Sequence, residues 1–227
     1  MIQVSKLLRA VYASYLSLDS LKSELFDKYG LSIDMNPSVE NKEFILRSIL
    51  NILRPVPVSL IKNCRITQMI VKDMGPNRPF YPNHGYYIGN QIALNANIFL
   101  DPDMSEDFID NKGYFISRPQ ETLLHEYGHA LDAAYDNLSL KPDWLALSGW
   151  SEEYKPGLKR LVIKEKGVPP VVGEWFYDPK AGFTRFYAKR NPWDDFADSF
   201  AYYLAPLLNK MPLPKRDYFK KLFQVYN

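Results

Sequence analysis

The chain has one cysteine, Cys64, so no disulfide can form within it and stability must come from burial. Charge of one sign is missing too. Against 28 Lys and Arg stand 26 Asp and Glu, a net +2 that excludes the basic footprint of a dedicated nucleic-acid binder. No apolar run approaches the length that crosses a bilayer, so no transmembrane segment is expected. Repeats and low-complexity tracts are absent, which excludes solenoid and collagen-like architectures. Histidine is scarce, at 3 residues in 227. Aromatic residues are plentiful: 4 Trp, 16 Tyr and 13 Phe can fill a core with large side chains.

The N-terminal stretch places Lys6 and Arg9 before Ala10-Val11-Tyr12-Ala13. That apolar run is short and lacks a small-residue cleavage site, so it reads as an amphipathic helix and not as a signal peptide. The expectation is a cytoplasmic protein, or one exported without a cleaved signal.

Helical spacing of apolar residues runs over 3–29 and 41–53, closed by Gly30 and by Arg54-Pro55-Val56-Pro57. Residues 64–72 read as a strand with Cys64 buried in it. Turns follow over 76–85, and two short strands at 86–94 surround Gly89-Asn90, a pair suited to a tight hairpin. The acidic stretch 101–113 reads as a solvated loop. Ser117-Arg118-Pro119-Gln120 is a capping arrangement that opens a helix through Ala134. Loops and short helices are expected over 138–182, then helices over about 192–209 and 214–226. The fold class is α+β, a small mixed sheet flanked by helices.

The chemistry lies in His125-Glu126-Tyr127-Gly128-His129. Residues four apart share a helix face, so both histidines can aim a ring nitrogen at one ion. Glu126 is rotated by about 100° from His125, beside the ion and not on it, where it can accept a proton from water. With so few histidines, chance would give this pattern about 0.002 times in such a chain. Zinc suits two imidazoles and a carboxylate. A third ligand is therefore expected downstream, in Asn191-Pro192-Trp193-Asp194-Asp195-Phe196-Ala197-Asp198. Asn191-Pro192 opens a helix there, and Asp194 and Asp198 share one face. Asp195 remains a third possibility. Asp132, three residues after His129, could hold a ligand imidazole or serve a structural role. His84 stands apart in a turn-rich segment and reads as no ligand.

Leu124 to Asp132, then Phe186-Tyr187 and Asn191 to Phe200, resemble the metallopeptidase domain of anthrax lethal factor and the related Pro-Pro endopeptidases. The resemblance implies a zincin-like fold and a zinc-dependent endopeptidase acting on a protein or peptide substrate, in a family rich in toxins. It implies His125, His129 and Asp194 as zinc ligands and Glu126 as general base. It also implies Tyr187, seven residues before Asp194, as oxyanion donor, with Asp198 supporting a ligand histidine. Where the family carries two glutamates this chain carries Asp194 and Asp198, which favours a rival reading: a zincin-fold protein of weak or no activity that binds a partner. The expected division of the chain is a helical region over 1–54 packed on a zincin-like catalytic domain over 55–227.

Three smaller expectations complete the reading. Gly128 inside the motif helix either allows a close backbone approach or is merely tolerated. Trp144 and Trp150 fill cores. The C-terminal helix, with Lys215, Arg216, Lys220 and Lys221 among its aromatics, packs on its own domain.

Overall fold

The computed structural model describes residues 17–75, 84–100, 108–109, 115–165, 168–205 and 210–226. The expected helical start before residue 17, the turns over 76–83 and most of the acidic loop lie outside them. Helix α1 (Leu18–Tyr29) is capped by the Ser17 side chain, which accepts from Ser20 N, and ends at Gly30 with a left-handed φ of 74°. Its Leu21, Leu25 and Tyr29 repeat every fourth residue and are buried. Strand β1 (Ser32–Met35) follows, four residues alternating exposed and buried that the sequence did not single out. Helix α2 (Lys42–Leu53) buries Ile45, Leu46, Ile49, Leu50 and Leu53.

Cys64 is buried, as expected, but not in a strand. It caps the short helix α3 (Val58–Asn63), and its Sγ donates to the Leu60 carbonyl. Arg65 then adopts a φ of 56°, a left-handed turn that delays strand β2 to Gln68–Lys72. The expected hairpin forms as β3 (Gly85–Ile88) and β4 (Gln91–Asn95), with Ile88 opposite Gln91 across Gly89-Asn90. The main sheet has the order β1-β2-β4-β3, in which β1, β2 and β4 are parallel and β3 is the antiparallel edge. After α4 (Asn97–Leu100), a two-residue ladder joins β5 (Phe108–Ile109) to β6 (Phe115–Ile116), so part of the expected loop is strand.

Helix α5 (Arg118–Ala134) carries the HExxH pattern, and its Ser117 cap accepts from Gln120 N. The loop reading of 138–182 fails over its second half. Helix α6 (Pro142–Ser148) is as short as expected, but β7 (Lys159–Glu165) and β8 (Val168–Tyr177) form a long antiparallel hairpin. Pro169 and Pro170 disguised it, because neither can donate to a ladder. The pairing tolerates them through a slip: Ile163 faces Val171 and Glu165 faces Val168, so both prolines oppose one residue. Helices α7 (Pro192–Leu204) and α8 (Leu213–Tyr226) close the chain.

Two buried clusters result. The main one runs from Leu21 to Phe219 and contains Trp144. A smaller one joins Trp150, Trp175 and Tyr177, at the hairpin. Phe219 of α8 is fully buried, so that helix packs on its own domain. No helix among the described residues is long and apolar enough to cross a membrane.

Candidate metal centre

Helices α5 and α7 cross where Gly128 faces Ala197. A Cβ on Gly128 would lie 2.6 Å from Ala197 Cα, so only hydrogen fits and the close-approach reading of this glycine holds. The crossing brings the two motif stretches together across about seventy residues of chain.

At that crossing the donor atoms of His125, His129 and Asp194 lie within 4.8 Å of one another, the one such set among the described residues. The two Nε2 atoms are 3.0 Å apart, and Asp194 Oδ1 lies 3.7 Å from the first and 3.5 Å from the second. A tetrahedral ion with bonds of about 2.0–2.2 Å would hold its donors about 3.3–3.6 Å apart. Two imidazoles and one carboxylate, at these spacings, can hold a metal ion of zinc's kind. Asp194 is placed by its own helix start, because Asn191 Oδ1 accepts from Asp194 N at 2.7 Å and Asn191 Nδ2 donates to Asp194 Oδ2.

Asp198, one turn further along α7, accepts from His125 Nδ1 at 2.6 Å. With Nδ1 the donor, the Nε2 lone pair faces the other two candidate ligands. Arg185 grips the same carboxylate with two bonds, Nε to Oδ2 at 2.7 Å and Nη2 to Oδ1 at 2.5 Å. Burial alone would raise the Asp198 carboxyl, but Arg185 and His125 hold it well below the usual carboxylate range. Arg185 also donates to Glu121, which accepts in turn from Arg118. The sequence reading missed Arg185, Glu121 and Arg118. One signal existed: Glu121 precedes His125 by four residues and shares its helix face.

The neighbouring acids do something else. Asp195 is fully buried and points away from the three donors, accepting from Lys215 Nζ at 2.5 Å, Ser148 Oγ at 2.6 Å and Trp150 Nε1 at 3.1 Å. Asp132 accepts from Ser139 N and Ser139 Oγ, at 2.6 and 2.7 Å, and not from His129. His84 lies outside the donor set, and burial lowers its imidazole to about 4.

Glu126 and Tyr187 border the same cleft of about 380 Å3, with Tyr86 and Tyr87 of β3 opposite. Burial pushes the Glu126 carboxyl above its ordinary value, against the pull of both imidazoles and a backbone hydrogen bond from Tyr87. A raised carboxyl is a stronger base than a surface one. Tyr187 packs edge-on to His125, with ring centroids 5.8 Å apart. Arg185 and Arg190 stand over its ring, and Arg190 Nη1 donates to its hydroxyl. Burial keeps that phenol protonated well beyond the ordinary range.

No protein family profile matches the chain, and no curated protein matches it. Among solved structures, a proposed zinc-binding metallo-peptidase from Bacteroides caccae is similar over 92% of this chain and 82% of its own, at 13% identity and a TM-score of 0.42.

Proposed function

We propose that the protein is a zinc-dependent endopeptidase, with His125, His129 and Asp194 as ligands. One observation carries the reading: three candidate donors from two helices converge beside a buried carboxylate, Glu126, in an open cleft. When bound, zinc supplies a Lewis acid and brings a water's pKa down to about 7.

The chain's own residues supply the rest. Glu126 takes a proton from the attacking water and later delivers one to the leaving amine. Tyr187 accepts from Arg190, which leaves its own proton free to donate to the oxygen where negative charge develops. Asp198, held by Arg185, fixes the His125 tautomer. An extended peptide finds an edge at β3, where the backbone groups of Gly85 and the Tyr87 carbonyl point away from β4 and the Tyr87 N–H is turned to Glu126. The sequence resemblance extends this proposal to kinship with lethal factor-type peptidases, with a protein as substrate.

The test is a search for new protein termini generated by wild type and by Glu126→Gln. Cleavage by the wild type alone supports the reading, with the variant keeping its fold and zinc. Equal termini from both proteins, or none from either, would leave a binding role in its place.

A further inference from the structure

Beside the metal cleft lies a second hollow of about 190 Å3, walled by Leu161, Val172, Trp175 and Trp193. Trp193 lines both spaces, so the two adjoin at its indole. Arg190, which also borders the hollow, donates to Tyr187 and lies 3.6 Å from Asp194 Oδ2. The hollow therefore opens next to a candidate ligand and the candidate oxyanion donor.

Its shape comes from a second slip in the β7–β8 ladder. Arg160 faces Phe176 but Val162 faces Val172, so Leu161 alone opposes Gly173, Glu174 and Trp175. The extra residues bend the strand there. Trp175 is buried and meets Trp193 edge-on, at 5.8 Å and 90°. Trp150 backs it at 6.5 Å, which makes the aromatic wall a fixed surface and not a loose flap.

We propose that this hollow is a substrate subsite that receives one bulky apolar side chain, aromatic by preference, from the same peptide whose backbone lies in the metal cleft. The proposal rests on the peptidase reading. The shared Trp193 wall, with Arg190 reaching both Tyr187 and the hollow, points to the occupant: a side chain of a peptide lying along the cleft. The volume suits one large side chain, and indole edges and faces favour another ring. Leu161 and Val172 extend the apolar wall, and Glu174, Arg190 and Asn191 border it with charges of both signs, so neither a cationic nor an anionic side chain meets a purely complementary rim.

The test uses full-length, zinc-loaded Glu126→Gln protein and decapeptides carrying Phe, Gly or Lys at each position in turn. Binding is read by anisotropy and by tryptophan emission. At one position Phe should bind about tenfold or more tightly than Gly or Lys, with a shift in emission. Val172→Glu alters an exposed residue, and Gly173→Leu fills the wall from within; in the same background each should erase that ratio. The proposal is overturned by equal affinities at every position, by a preference that survives both variants, or by no binding at all. Equal affinity for N-acetylphenylalaninamide alone would also overturn it, by making the hollow an independent small-molecule site. Cleavage by the wild type is scored separately. Cleavage without positional preference sinks the subsite alone, whereas preference without cleavage supports the subsite and sinks the peptidase reading.

Discussion

Gly128 and Ala197 meet backbone to backbone, and a Cβ at position 128 would sit 2.6 Å from Ala197 Cα and 3.0 Å from its carbonyl oxygen. The contact is between main chains, so no side chain can rotate to relieve it. It sets the distance between the helix that carries His125 and His129 and the helix that carries Asp194.

Gly128→Ala should therefore destabilise the protein, although alanine favours a helix by about 1 kcal/mol over glycine. Forcing the helices apart costs roughly 1–3 kcal/mol and moves Asp194 away from the histidines. Thermal melts and zinc titration check this. A variant as stable and as tight for zinc as wild type would contradict the contact.

Purified protein should carry about one zinc per chain, and His129→Ala or Asp194→Ala should lose most of it. Asp195→Asn should keep it, since that side chain bonds Lys215, Ser148 and Trp150 instead. Metal analysis of the three variants decides between Asp194 and Asp195. Metal-free wild type under careful preparation would remove the zinc reading.

Tyr187→Phe should lower kcat on the order of a hundredfold, because the lost hydroxyl acts on charge that exists only in the transition state. Zinc content and melting temperature should hardly change. Steady-state kinetics on a cleaved peptide measure it, and an unchanged kcat would reduce Tyr187 to a packing residue.

Lys215 and Asp195, both fully buried, form an ion pair at 2.5 Å that ties α8 to the start of α7. Lys215→Met leaves the carboxylate without its charge partner, a loss of about 3–5 kcal/mol. The double variant Lys215→Met, Asp195→Asn, which removes the stranded charge and keeps an acceptor for Ser148 and Trp150, should recover part of it. Denaturant melts of the two proteins read the difference, and equal midpoints would refute the coupling.

What the sequence made legible was local. Ser117 before Pro119, and Asn191 before Pro192, mark helix starts within four residues, and both caps form. Gly89-Asn90 marks its hairpin by the same kind of short-range rule. The His-x-x-x-His spacing is local too, and its two donors lie 3.0 Å apart. The missed parts depend on pairing partners far apart in the chain. Arg185 finds Glu121 across 64 residues, and no periodicity announces it. Strand β8 is hidden by Pro169 and Pro170, and β1 is too short to show a period. Lys215 is one of four basic residues on the C-terminal helix, and only Asp195, twenty residues earlier, gives it a reason to be inside.

The hairpin's aromatic cluster shares no buried residue with the main core. Trp150 ties that cluster to Asp195, but Leu161, Val172 and Trp175 lie on the hairpin and on neither helix that carries the candidate ligands, so selection can rewrite the hollow's walls with both helices in place. If the peptidase proposal holds, a lineage of such proteins would change what it cuts through Leu161, Val172 and Trp175 while its metal chemistry stayed fixed.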